Sequence, residues 1–222
     1  MHSLDLSAAE ILFNAERDIR QELESVRAEL IAAGIAVEIH LRHWLPADTL
    51  IEQADALGDA VIVVGHRGRR ARRLFVGSTS GQVSREAAVP VIVTRGALRP
   101  SPPQRILVGA DGSAGSRAAL TATRTLFPVA QYLFASVRDT ADGLTESALA
   151  DFAQAVEIDP AKVEFHTSEG DPASLLLTLA ASAEVDLICA GRRGRGALVD
   201  LLLGSVSEKL LQLAPCPLLL AH

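Results

Sequence analysis

Val37-Glu38-Ile39-His40 recurs as Val163-Glu164-Phe165-His166, 126 residues later, and the same distance relates many other positions of the chain. It carries Pro46-Ala47 onto Pro172-Ala173, Leu50 onto Leu176, Ala54 onto Ala180, Gly65 onto Gly191 and Gly68 onto Gly194. The spacing then becomes 127, relating Gly77-Ser78 to Gly204-Ser205 and Pro90 to Pro217. A single offset with one slip is the mark of a duplication, and a duplicated chain must build two related units. Between the copies runs Gly96-Ala97-Leu98-Arg99-Pro100-Ser101-Pro102-Pro103-Gln104, whose prolines predict a stiff, extended connector. The expected organisation is an incomplete first domain over 1–96, a linker over 97–104 and a complete second domain over 105–222.

The second copy alternates between two periodicities. Strands are predicted at Arg105–Ala110, Tyr132–Val137, Val163–His166, Asp186–Ala190 and Pro217–Ala221. Helices are predicted at Gly115–Leu126, Thr145–Val156, Pro172–Ala181 and Val206–Leu213. Strands separated by helices imply right-handed crossovers and a parallel sheet covered on both faces. Hydrophobic residues at 49% with aromatics at only 4% suit helices packed on such a sheet and exclude a disordered chain. The net charge of -6 argues against nucleic acid as the main partner. No apolar run reaches the ~18 residues of a membrane span, and the N-terminus lacks the shape of a signal peptide, so a cytoplasmic protein is expected. Cys189 and Cys216 each sit in an apolar run and read as core thiols. His40 and His166 occupy equivalent strand positions, which favours a shared packing role over catalysis.

Chemistry gathers where the fourth strand of the second copy ends. Gly191-Arg192-Arg193-Gly194 follows it directly, and Gly204-Ser205 comes after nine intervening residues. Glycines allow a ligand to approach the backbone closely. Ser205-Val206-Ser207-Glu208 reads as a capping box, which places a helix N-terminus beside the loop. A helix N-terminus is a phosphate seat, and Arg192, Arg193 and Arg195 add positive charge. The first strand ends in Ala110-Asp111-Gly112-Ser113, so Asp111 is expected at the same sheet edge as an acceptor for a sugar or base. A Gly-x-x-Gly after a strand is commonly only a turn, and Asp-Gly-Ser an ordinary helix entry; their combination is far more specific. Walker-type, dinucleotide-loop, zinc-protease and triad patterns are absent, so a binding protein with little or no turnover is expected rather than an enzyme.

With these residues the chain resembles the universal stress protein family, through RILVGADGS, GRRGRGALVDLLLGS and PCPLLLAH. The resemblance implies a five-stranded parallel sheet in the order 3-2-1-4-5, with ATP and magnesium over the strand ends. It implies that Gly109, Asp111 and the backbone of Val137 hold the adenosine. Gly191, Arg192 and Gly194 would meet the ribose and the inner phosphates, with Gly204, Ser205, Val206 and Ser207 around the outer ones. In that family the terminal strands pair between domains. Val91–Thr94 and Leu218–Ala221 are therefore expected to form either an internal pseudo-dimer or a homodimer contact.

The first copy keeps Gly65, Gly68, Gly77 and Ser78, but only eight residues separate Gly68 from Gly77, and this loop region carries five arginines from Arg67 to Arg73. Nothing in the first copy corresponds to Arg105–Leu126. It opens instead on a predicted helix over Ala8–Ala33 with i,i+4 charge pairs such as Glu16 with Arg20. Its motif is expected to be degenerate, leaving one nucleotide per chain. Two other functions fit the same residues: a scaffold of this fold that binds no nucleotide, and nucleic-acid binding through Arg67–Arg73. The second is disfavoured by the acidic charge and the lack of stacking aromatics near that loop.

Overall fold

The computed structural model describes residues 8–42, 45–66, 77–96, 101–137, 144–194 and 203–222. Gly68, Arg195 and the arginine run Arg67–Arg73 lie outside them, as does the first half of the predicted linker, 97–100. The chain divides into two compact units, Met1–Trp44 and Leu45–His222.

In the smaller unit, α1 spans Ala8–Ala32. The expected pair of Glu16 with Arg20 forms at 3.5 Å between exposed side chains, a contact worth little. Val37–His40, the repeat equivalent of the strand predicted at Val163–His166, does not form a strand. The stretch alternates half-buried Val37, Ile39 and Leu41 with exposed Glu38, His40 and Arg42, as a strand would, yet it has no ladder partner among the described residues. Alternation gives a segment two faces; only a neighbouring strand makes it part of a sheet. His40 is exposed beside Glu38 at 3.3 Å, and His166 is exposed as well, so the shared packing role expected for them is absent.

In the larger unit the elements follow as α2 (Pro46–Leu57), β1 (Ile62–Gly65), α3 (Ser78–Glu86), β2 (Val91–Thr94), β3 (Arg105–Gly109), α4 (Ala114–Leu126), β4 (Gln131–Val137), α5 (Glu146–Gln154), β5 (Val163–Ser168), α6 (Pro172–Ser182), β6 (Leu187–Gly191), α7 (Ser205–Leu213) and β7 (Leu218–Ala221). A 3-10 turn, Pro160–Lys162, precedes β5. The sheet has seven strands in the order β1-β2-β7-β6-β3-β4-β5. This corrects the expectation of a five-stranded parallel sheet. The order 3-2-1-4-5 is present as β5-β4-β3-β6-β7, all parallel, but two first-copy strands extend it and one junction makes it mixed.

That junction joins β2 to β7 antiparallel, with Val91 opposite Leu220, Ile92 opposite Leu219 and Val93 opposite Leu218. Ile92 and Leu219 are themselves repeat equivalents, so a local pseudo-two-fold axis passes between them. The two terminal strands thus pair within one chain, the internal form of the expected association. Val91, Val93, Leu218 and Leu220 are fully buried, each contributing about 1.5–3 kcal/mol of burial. One face of the sheet carries a core running through both copies, with α2 and α3 from the first and α6 and α7 from the second. The opposite core is built by α4 and α5 on the second-copy strands, around Phe134, Phe152 and Leu120.

Candidate functional site

A cavity of about 460 Å³ opens at the carboxyl ends of β3, β4 and β6. Its apolar wall comes from Ala135 and Val137 on β4 and from Pro172, Leu175 and Leu176 on α6. Its polar wall comes from Asp111, Ser136, Arg193, Gly194, Gly204, Ser205 and Ser207. Of the residues singled out in the sequence, Gly109, Asp111, Val137, Gly191, Gly194, Gly204, Ser205, Val206 and Ser207 all line it.

Close approach explains why the sequence needs glycine here. A Cβ on Gly191 would stand 2.6 Å from the backbone of Gly115 and of Ser116, so the strand end lies directly against the first turn of α4. A Cβ on Gly194 would meet Asp111 Oδ2 at 2.5 Å. The other carboxylate oxygen of Asp111 accepts the Ser113 N–H at 2.9 Å. Asp111 therefore packs closely against Gly194 while lining the cavity. Gly204 is different: its Cβ would meet Arg193 Cα at an ordinary 3.4 Å.

The helix entry also differs from the sequence reading. Gly204, extended at φ -65 and ψ 154, is the N-cap of α7, and no side chain caps the helix. The capping box of Ser205 and Glu208 does not form, because Ser205 is already the first helical residue. Ser207 Oγ donates instead to Gly191 O at 2.7 Å, fastening the helix to the strand end. The first intrahelical bond runs from the Glu208 N–H to Gly204 O at 2.9 Å. The amides of Ser205, Val206 and Ser207 precede it, at the positive end of the helix and on the cavity wall.

Arg192 behaves unlike its neighbours. Its side chain is fully buried and turned away from the cavity. The guanidinium donates to the carbonyls of Ala87 and Val89 just beyond α3 in the first copy, and also meets His222 Nε2. Burial, and then the charge of Arg193, bring its pKa down to about 10. Arg193 is the arginine that lines the cavity. The buried thiol of Cys189, pushed up to about 12 by burial, accepts the Thr123 hydroxyl at 3.0 Å beneath α4 and takes no part in the site. Among the described residues no cluster of His, Cys, Asp and Glu is suited to hold a metal. No helix among them is long and apolar enough to cross a membrane.

The universal stress protein family model matches residues 2–95 and again 122–222. The chain belongs to the universal stress protein family. The two matches restate the duplication as two universal stress protein segments. The second begins beyond Gly109 and Asp111, so those two residues rest on the site's geometry alone. A universal stress protein of Mycolicibacterium smegmatis is 30% identical over 211 residues, covering 85% of this chain and 70% of that relative. One of Thermus aquaticus is 48% identical over 54 residues, covering 24% of this chain and 39% of that protein. The crystal structure of a universal stress protein from Archaeoglobus fulgidus is similar in fold, with a TM-score of 0.78 at 22% identity, covering 99% of this chain and 84% of that one.

Of the apolar wall of the universal stress protein cavity, Val137 is expected from the sequence, while Ala135, Pro172, Leu175 and Leu176 are not. Pro172 and Leu176 were visible as repeat equivalents of Pro46 and Leu50. Their helical spacing fixed them on α6 without saying that one side of that helix faces a cavity.

Proposed function

We propose that the second copy binds ATP, with magnesium on its phosphates, and that the chain works as a stress-response regulator with little or no turnover. The observation that carries this reading is the pairing of an apolar wall with an uncapped helix N-terminus across one cavity. The volume lies within the ~300–1,000 Å³ usual for small-molecule sites. The wall of Ala135, Val137, Leu175 and Leu176 suits a flat base. The amides of Ser205, Val206 and Ser207 suit phosphate oxygens, since a helix start offers unpaired N–H groups and a partial positive charge. Gly109 and Asp111 stand on the β3 side, where the sugar would reach a carboxylate. Gly191 and Gly194 admit the ligand to the loop backbone, and the Arg193 cation lies beside it. The main chain of Arg192 belongs to that loop; its guanidinium does not reach the ligand. Magnesium would be held by the phosphates themselves and would supply charge neutralisation there.

The first copy offers only a fragment of this arrangement. Gly65 ends β1, Gly77 caps α3 and Ser78 opens it, but β1 lies at the sheet margin with β2 as its one sheet neighbour. Among the described residues its side shows no counterparts of β3 and β4, and so none of Asp111 and Val137. One ATP per chain follows. Calorimetric titration of Mg-ATP into the 222-residue chain is expected to give one site of micromolar affinity, about -8 kcal/mol. Ser205→Glu places a carboxylate at the first position of α7, which suits the helix yet repels phosphate; affinity should fall about tenfold or more. Ser78→Glu, its counterpart, should leave binding unchanged. Unaltered binding by Ser205→Glu, or two equivalent sites, would overturn the proposal. An absence of binding to the parent chain would favour a scaffold.

A further inference from the structure

The Gly191–Gly194 loop is built on the same hydrogen bonds as its first-copy counterpart. The Arg192 N–H donates to Ala221 O at 2.7 Å, as the His66 N–H does to Thr94 O at 3.0 Å. The Gly204 N–H donates to Arg192 O at 3.0 Å, as the Gly77 N–H does to His66 O at the same length. The main chain of residue 192 therefore joins β7 to the cap of α7. Its side chain is what breaks the symmetry, since the equivalent residue is a histidine.

Arg192 leaves the loop in the opposite sense from the cavity and crosses the β2–β7 seam. It ends among carbonyls at the close of α3: Arg85 O at 3.5 Å, Ala87 O, and Val89 O at 3.4 Å. Arg85 O lies in the last turn of α3, where a helix presents unpaired carbonyls and a partial negative charge, and Ala87 and Val89 follow the helix. Arg95 makes the converse crossing. From the end of β2 it donates to the carbonyls of Leu210, Leu211 and Gln212 at the close of α7. Each copy thus receives a cationic cap from the other. Only one of the two caps springs from the loop that lines the cavity.

We propose that Arg192 is a positioning residue that links the cavity to the first copy. The α3–β2 corner, residues 85–91, and the hydrogen bond from the Gly204 N–H to Arg192 O then order together, and a ligand in the cavity strengthens both. The guanidinium is fully buried, so withdrawing it would leave the Ala87 and Val89 carbonyls without this donor inside the protein, a costly state. A loop free to shift at residue 192 would also loosen the Gly204 N–H, and with it the start of α7. The first copy would then act as the sensor of occupancy in the second. This deepens the ATP reading and rests on it for the ligand arm of the test.

The experiment compares the parent chain with Arg192→Lys and Arg192→Met by amide hydrogen exchange and by Mg-ATP titration. Without ligand, Arg192→Met should lose protection both in 85–91 and at 204–208, while β4 and β5 keep theirs. Arg192→Lys should recover part of each. Mg-ATP should raise protection in 85–91 of the parent and not of Arg192→Met. The methionine variant should also bind about five- to 100-fold more weakly, the usual range of coupling between sites. Loss confined to 85–91, with residues 204–208 unaffected, would reduce Arg192 to a local cap and overturn the linkage. So would parental affinity and parental ligand-induced protection in the methionine variant. If the parent binds no ATP, the ATP reading fails, while the two-segment loss without ligand still decides the linkage.

Discussion

Val63 and Cys189 are the same position in the two copies, yet Val63 is 59% exposed and Cys189 is fully buried. Beneath Cys189 the sheet is covered by α4, and its strand is paired on both sides, by β3 and β7. Among the described residues Val63 sits on a strand paired on one side alone, by β2. One ancestral strand thus serves as the centre of a sheet in one copy and as its margin in the other. A glycine motif marks a binding site only where the strands and helix around it complete the walls. Gly65 and Gly191 are alike in sequence and unlike in what surrounds them.

The sharpest break between the copies should come at those glycines. Gly191→Ala forces a Cβ into the Gly115 and Ser116 backbone, with no flexible side chain to yield. It should lower unfolding free energy by about 3–5 kcal/mol, among the largest single-residue effects. Gly65→Ala stands on an exposed strand end with φ outside the left-handed region and should cost under about 1 kcal/mol. Urea unfolding of both variants measures the contrast. Equal costs would mean that the first-copy strand end is as closely covered as the second.

The next contrast is a buried charge. Cys189→Asp places a carboxylate in a dry core and should cost about 3 kcal/mol or more, or shift the acid's pKa strongly upward. Val63→Asp should fall within about 1 kcal/mol of the parent. Thermal melts at neutral pH are enough to rank them. The ranking fails if the two melt together, which would require a cover over Val63.

Much of this division was legible in the chain itself. The repeat offset marks which residues are equivalent, and the alternation of strands with helices located all five strands of the second copy within one or two residues. Pairing of the two apolar terminal strands was expected, within the chain or between chains; its antiparallel direction was not. Other features were hidden for a common reason. Ser205-x-x-Glu208 has the letters of a capping box, but the cap is decided by which residue last leaves helical dihedrals, and Gly204 does so. The alternation at Val37–Leu41 predicts a two-faced segment, while strand status depends on a neighbour far along the chain. Arg192 looked like one of several phosphate-binding cations because sequence gives the charge and not the direction of the side chain.

The smallest expected effect separates the two copies at their paired helix starts. Lys209 on α7 reaches Asp171 before α6 at 3.1 Å, where the first copy has Gln82 reaching Asp48 at 2.8 Å. Hydrogen bonds from the Ser174 hydroxyl and backbone amide, then Lys209, hold the Asp171 carboxyl down at about 2. A carboxylate lowered in the folded state adds stability that is present above its ordinary value near 3.8 and is lost as pH falls towards about 2. The group is exposed, so the gain is slight and screened by salt. Asp171→Asn should flatten this part of the acid-unfolding profile, read as melting temperature against pH from 5 to about 2. An unchanged slope would remove Asp171 from the acid response.

The place of β7 bears on how the sheet is assembled. It comes last of the seven strands in the chain but stands third in the sheet, between β2 and β6. Until those four residues, Leu218–Ala221, are in position, the sheet exists as two pieces, β1-β2 and β6-β3-β4-β5, each with an open hydrogen-bonding edge. The Val91–Leu220 pairing joins residues far apart in the larger unit, and such non-local contacts carry a loop-closure cost that local ones do not. The strand that completes the ligand-bearing half is therefore the same strand that captures the other half. Neither edge is sealed from other chains until both are sealed together.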